Sequence, residues 1–130
     1  MDYLLDTCAL VWAVADPDAL SAPARAALAA RDAAVYVSPL SCAELACLTD
    51  RGRIKLDRHW KLWFNHFTAA NGWTAIDIDT AIVQEAYSLP GDFHQDPVDR
   101  ILTATARLHD LVLVTADGRL RNYPHVRTLW

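Results

Sequence analysis

Short apolar runs alternate with helix-forming segments along this chain, and that alternation restricts the fold more than any other feature. YLLD at 3–6, AVYVS at 34–38, WTAIDI at 73–78, LVLVT at 111–115 and VRTL at 126–129 read as strands. Continuous apolar strands are buried on both faces, which a parallel sheet achieves when helices cover both of its sides. The intervening segments supply those helices. TCALVWAVAD is one, and a second begins at Ser21 with Pro23 just inside it. Ser38-Pro39 opens a third, which stops near Gly52. A Trp-rich helix over 58–71 is expected to be capped by Asp57 and ended by Asn71-Gly72. Asp79 caps another to about Ser88, and Pro97 starts one that runs to about His109. Residues 89–95 read as a loop and ADGRL, from Ala116, as a turn. The expected fold class is α/β with a mostly parallel sheet.

A chain of 130 residues with 53% hydrophobic content is one domain, 1–130, able to bury a core without staples. The longest apolar run, CALVWAVA, is too short to cross a bilayer, so no membrane association is expected. MDYLLDTC lacks a basic leader region, and the three cysteines have no zinc-site spacing. Free thiols and a cytoplasmic location are the expectation. Trp60, Trp63, Phe64 and Phe67 recur at helical spacing, which reads as core packing, with a partner surface as the alternative.

The acids are skewed. Of 16 acidic residues only Glu44 and Glu85 are glutamates, and aspartate gathers at caps, turns and metal sites. On the strand map, Asp6 ends the first strand and Asp117 follows the LVLVT strand. Ligands of open parallel sheets bind outside those carboxyl ends. Asp99 falls in the first turn of the helix from Pro97, and Glu44 inside the helix that follows AVYVS. Four distant acids can therefore meet at one edge. Each also has a plainer role: Asp6 and Asp96 as helix caps, Asp99 as a complement to the helix dipole, and Asp117-Gly118 as a turn. Glu44, set among Cys, Ala and Leu in SCAELACL, is the hardest to explain without a partner. Lys55 and Lys61 are the only lysines, and Arg100 points off another helix face. A hard divalent cation is the natural counter-charge. Mg²⁺ suits few carboxylates, several waters and substrate phosphate oxygens, and such sites activate water for phosphodiester hydrolysis.

Four stretches in order, LLDTCALVWA, VSPLSCAELA, HQDPVDRILTATA and LVTAD, together with the terminal VRTLW, resemble the PIN-domain ribonucleases. Within them the chain is more similar to the VapC-type toxins of type II toxin–antitoxin pairs, over essentially its whole length. The resemblance implies a PIN-like three-layer α/β/α sandwich. It implies Asp6, Glu44, Asp99 and Asp117 as the catalytic acids, with Asp6 and Asp99 as principal ligands of Mg²⁺, for which Mn²⁺ substitutes. Asp96 matches a variant motif with a second acid before the proline, where it either touches metal or substrate or only caps. Thr7 and Thr115 match small hydroxyl positions beside the acids. Cys8, Val98 and Cys42 stand where related chains often carry His, Phe and Trp, which bears on pocket shape rather than on the carboxylates. The implied partners are an RNA substrate (transfer or ribosomal RNA), a cognate antitoxin protein and a second copy in a homodimer.

Two other classes remain to be weighed. A PIN-fold binding module without catalysis would not require all four acids. A receiver-type phosphorylation switch needs adjacent early acids and a late lysine, and here Asp6 has no acidic neighbour and no lysine follows Lys61.

Overall fold

The computed structural model describes residues 1–130. Five parallel strands form one sheet: β1 (Asp2–Leu5), β2 (Ala34–Val37), β3 (Thr74–Ala75), β4 (Val112–Val114) and β5 (Thr128–Leu129), in spatial order β3-β2-β1-β4-β5. Seven helices accompany them: α1 (Thr7–Ala15), α2 (Ala22–Ala29), α3 (Leu40–Asp50), α4 (Trp60–Ala70), α5 (Thr80–Ala86), α6 (Pro97–Leu108) and α7 (Gly118–Arg121). A 3-10 turn at Pro17–Ala19 follows α1.

Alternation along each strand divides the core into two layers. Leu5, Val35, Val37 and Val114 face one side, where Leu10, Ala24, Leu45, Trp63 and Phe64 cover them. Leu4 and Leu113 face the other, under Leu102, Ala106 and Leu120. Helix α5 packs on α6 through Ile82, Ala86, Ile101 and Ala104. The result is the expected three-layer α/β/α sandwich. The aromatic helix serves the core as read, since Trp63 and Phe64 are buried and Trp60 and Phe67 pack against the same cluster. No helix is long and apolar enough to cross a membrane, and Cys8, Cys42 and Cys47 are free thiols.

Several boundaries differ from the sequence reading, each for a local reason. WTAIDI shrinks to a two-residue strand because β3 is an edge that pairs with β2 alone; Ile76 N–H still donates to Val37 O at 3.0 Å. The Trp-rich helix starts at Trp60 and is capped by His59, whose Nδ1 accepts from Lys61 N–H at 3.2 Å. Asp57 does not cap it, because the adjacent Arg58 guanidinium holds its carboxylate at 3.0 and 3.1 Å. ADGRL is more than a turn: Asp117 caps the one-turn helix α7.

The strand order turns around at β1. Sheet growth runs one way through β2 and β3 and the other way through β4 and β5. The crevice outside the carboxyl ends of β1 and β4 lies at that reversal, where open α/β sheets bind ligands.

Candidate active site

Four segments bring their acids to this crevice. Asp6 follows β1 directly, and its N–H donates to Val114 O at 3.1 Å, fixing it at the end of β4 as well. Its Oδ1 accepts from Ala9 N–H at 2.8 Å and caps α1. Glu44 projects from α3 and accepts the hydroxyl of the buried Thr7, which also lies 3.0 Å from Ser41 Oγ. Asp99 stands in the first turn of α6, below the cap made by Asp96. Asp117 caps α7, its Oδ1 accepting from Arg119 N–H at 2.8 Å, while Thr115 Oγ1 accepts from Asp117 N–H at 3.1 Å. A pocket of about 380 Å³ is lined by Asp6, Glu44, Asp96, Asp99 and Asp117, with Arg119 as its sole cationic side chain.

Crowding in this pocket changes the proton affinity of its members. Burial pushes the Asp6 carboxyl up to about 6, against hydrogen bonds from Thr115 and Ala9, and the charges of Glu44 and Asp99 add to the rise. Burial also raises Glu44, with the Thr7 hydroxyl opposing and Asp99 and Asp96 reinforcing. Asp99 is raised by burial and by Asp96 and Asp117, although His94 pulls it down. Asp117 goes the other way: burial pushes it up, but the Arg119 backbone, side chain and charge together hold it below the usual carboxylate range. The Cys8 thiol is raised by burial and by three of the acids, which makes it a poor nucleophile. Three carboxyls are thus short of positive charge.

Their oxygen-only chemistry suits a hard divalent cation. No three His, Cys, Asp or Glu side chains are grouped to hold an ion by themselves. That is compatible with Mg²⁺, which is bound by one or two carboxylates plus waters and phosphate oxygens. Asp6 commits only Oδ1 to its cap, whereas Asp99 Oδ2 already meets His94 and Arg119.

Two residues of the site were missed in the sequence. His94 Nε2 lies 2.7 Å from Asp99 Oδ2, its ring stacked on Phe93 with centroids 4.5 Å apart. Arg119 Nη2 lies 3.4 Å from both Asp99 Oδ2 and Asp117 Oδ2. The only signal for either was proximity in sequence to an acid, and no periodicity reports on a loop or on a single helical turn.

Asp96 is a cap in this structure: its Oδ1 accepts from Val98 N–H at 2.9 Å and from Asp99 N–H at 3.3 Å. It also lines the pocket. If the cap dominates, Asp96→Asn keeps most activity and Asp96→Ala loses roughly 1 kcal/mol of stability in a denaturant titration. A folded Asp96→Asn protein with no activity would place the charge itself in the reaction.

A larger depression of about 580 Å³ lies before β4 and β5, away from all of these acids. Its arginines are already paired, Arg107 with Glu85 at 2.9 Å and Arg127 with Asp110 at 2.6 Å.

Known proteins agree with this architecture. The PIN-domain model matches residues 3–126, and the chain belongs to the PIN-domain family. It is 36% identical over 129 residues to Ribonuclease VapC22 of Mycobacterium tuberculosis (strain ATCC 25618 / H37Rv), covering 98% of this chain and 97% of that one. The same fold occurs in VapBC2 from Rickettsia felis, bound to a DNA fragment from their promoter, with a TM-score of 0.70 at 17% identity over 99% of this chain and 98% of that one. It occurs also in a toxin–antitoxin complex from Klebsiella pneumoniae, with a TM-score of 0.64 at 22% identity over 95% and 94%. These findings bear out the resemblance read from the four motifs.

Proposed function

We propose that this chain is a divalent-metal-dependent endoribonuclease and the toxic member of a type II toxin–antitoxin pair. The observation that carries the reading is the convergence of Asp6, Glu44, Asp99 and Asp117, from four separate segments, on one pocket at the sheet's reversal point. Similarity to Ribonuclease VapC22 over nearly the whole chain supports RNA as the substrate. Mg²⁺, or Mn²⁺ in its place, would be held by Asp6 and Asp99 and would supply water activation and charge for the leaving oxygen.

The protein's own groups then have distinct tasks. Asp6 is fixed by its backbone bond to β4 and by its cap, so its carboxylate need not reorganise. Glu44 Oε1 is committed to Thr7, which leaves Oε2 to take a proton from the attacking water, a task that its raised proton affinity suits. Asp117 stays ionised and adds negative charge at the mouth. With a net charge of −4 the chain has little general attraction for RNA, so binding depends on the site's own cations.

The cognate antitoxin belongs to the same reading. It would place an Arg or Lys beside Asp6, Asp99 or Asp117 while apolar residues pack near the mouth, since any well-placed guanidinium stabilises such a cluster. A homodimer, checked by light scattering, completes the proposed assembly.

The test is cleavage of purified transfer RNA and ribosomal RNA by the purified chain. Cleavage is expected with Mg²⁺ or Mn²⁺, none in EDTA, and none with Asp99→Asn. Co-expression with the protein encoded by a short reading frame beside the gene should silence it. A folded chain that binds Mn²⁺ yet leaves both RNA classes intact would instead be a binding module.

A further inference from the structure

We propose that Arg119 is a displaceable counter-charge: it bridges Asp99 and Asp117 in this structure, yields them to a divalent cation, and then binds a phosphate of the RNA. The inference rests on the ribonuclease reading and assigns to that site a residue that no motif singled out. Arg119 is the only cationic side chain lining the pocket. Arg100, the nearest alternative in sequence, is committed to the carbonyls of Ala86 and Phe93 at 3.0 and 2.9 Å.

The Arg119 contacts are of a kind that releases easily. Both run through Nη2 at 3.4 Å, so one nitrogen is shared between two carboxylates instead of a fork meeting one of them. The other arginine–carboxylate pairs of the molecule close to between 2.6 and 3.2 Å. The Arg119 side chain is 58% exposed, so screening by water weakens the pair further. Its backbone is anchored all the same, because its N–H is the one capped by Asp117. A fixed root with a loosely held guanidinium at the rim can exchange carboxylates for a phosphate without moving α7. A phosphodiester approaching four carboxylates needs a cation at that rim, and guanidinium matches phosphate geometry.

The experiment compares wild type, Arg119→Ala and Arg119→Lys, each shown to be folded by circular dichroism. Calorimetric titration with Mn²⁺ alone should show about threefold to tenfold tighter binding in Arg119→Ala, because a competing cation of the kind discussed above has been removed. In cleavage of transfer or ribosomal RNA, whichever wild type cuts, KM should rise about tenfold with kcat changed much less, as expected for a lost substrate contact. The slope of log(kcat/KM) against log salt should become shallower by about 0.7, one phosphate contact on a single strand. Arg119→Lys keeps the charge and should retain the wild-type slope. Unchanged or weaker Mn²⁺ binding in Arg119→Ala overturns the proposal, and so does an unchanged salt slope. Wild-type protein that cleaves neither RNA class would overturn the ribonuclease reading itself. The Mn²⁺ titration does not depend on cleavage and would still decide whether Arg119 competes for the acids.

Discussion

Asp6→Asn should give a protein that cleaves no RNA yet is more stable than wild type at neutral pH in EDTA. The carboxyl of Asp6 titrates at about 6 in the folded chain, raised first by burial and then by Glu44 and Asp99. In the unfolded chain it titrates near its ordinary value of about 3.9. Between those values the folded state binds more protons than the unfolded state. Its contribution to stability is therefore whole below about pH 4 and is lost as pH rises through about 6. That rise corresponds to roughly 3 kcal/mol. Asparagine keeps the cap on α1 and carries no charge to desolvate, so the variant avoids that loss. In thermal melts at pH 7.5 with EDTA, Asp6→Asn should exceed wild type by several degrees, and near pH 4 the gap should close. Added Mn²⁺ should reverse the order, because only wild type gains binding energy from the ion. A gap that stays constant with pH would show that the carboxyl is not perturbed, and undiminished Mn²⁺ binding by Asp6→Asn would remove Asp6 from the ligand set.

That opposition between stability and chemistry also explains what could be read from the sequence. The sandwich was legible because burial on both faces leaves a mark on every strand: YLL, AVYV and LVLV have no polar face to show. The short edge strands were over-extended because their residues resemble those of central strands, while their length depends on a neighbour far away in the chain. The four acids picked out in the sequence line one pocket, and capping a helix does not keep a side chain out of it. A carboxylate has two oxygens. Asp6 and Asp96 each use Oδ1 for a helix N-terminus while lining the pocket. Local capping therefore fixes side chains that also face the pocket. His94 and Arg119 escaped notice because their pairing with Asp99 depends on how a loop and a one-turn helix fold back, which neither period nor propensity records.

Arg100→Ala should cost about 3 kcal/mol of stability, far more than a surface arginine, while reducing RNA cleavage less than tenfold at a temperature where the variant is folded. Arg100 adjoins Asp99 in sequence but turns to the other side of α6. Its Nη1 and Nη2 donate to Ala86 O and Phe93 O, and the guanidinium lies 5.3 and 5.4 Å from the ring centroids of Tyr87 and Phe93. It therefore ties the end of α5 and the 87–94 connection to α6. Removing it strands two carbonyls and opens the packing between two rings; charged hydrogen bonds of this kind contribute about 1.5–3 kcal/mol each. The buried Nε has no partner, which offsets part of that gain and keeps the total near the lower end. Helix α6 itself stays anchored by Ile101, Leu102, Ala104 and Ala106, so Asp99 keeps its place. What loosens is the connection that carries His94, and with it one hydrogen bond to Asp99. Urea titration and Mn²⁺-supported cleavage of the same preparation separate these effects. A loss below about 1 kcal/mol would mean that water replaces the guanidinium at both carbonyls. A loss of activity as complete as that of Asp99→Asn would mean that the 87–94 connection, rather than the acids alone, builds the site.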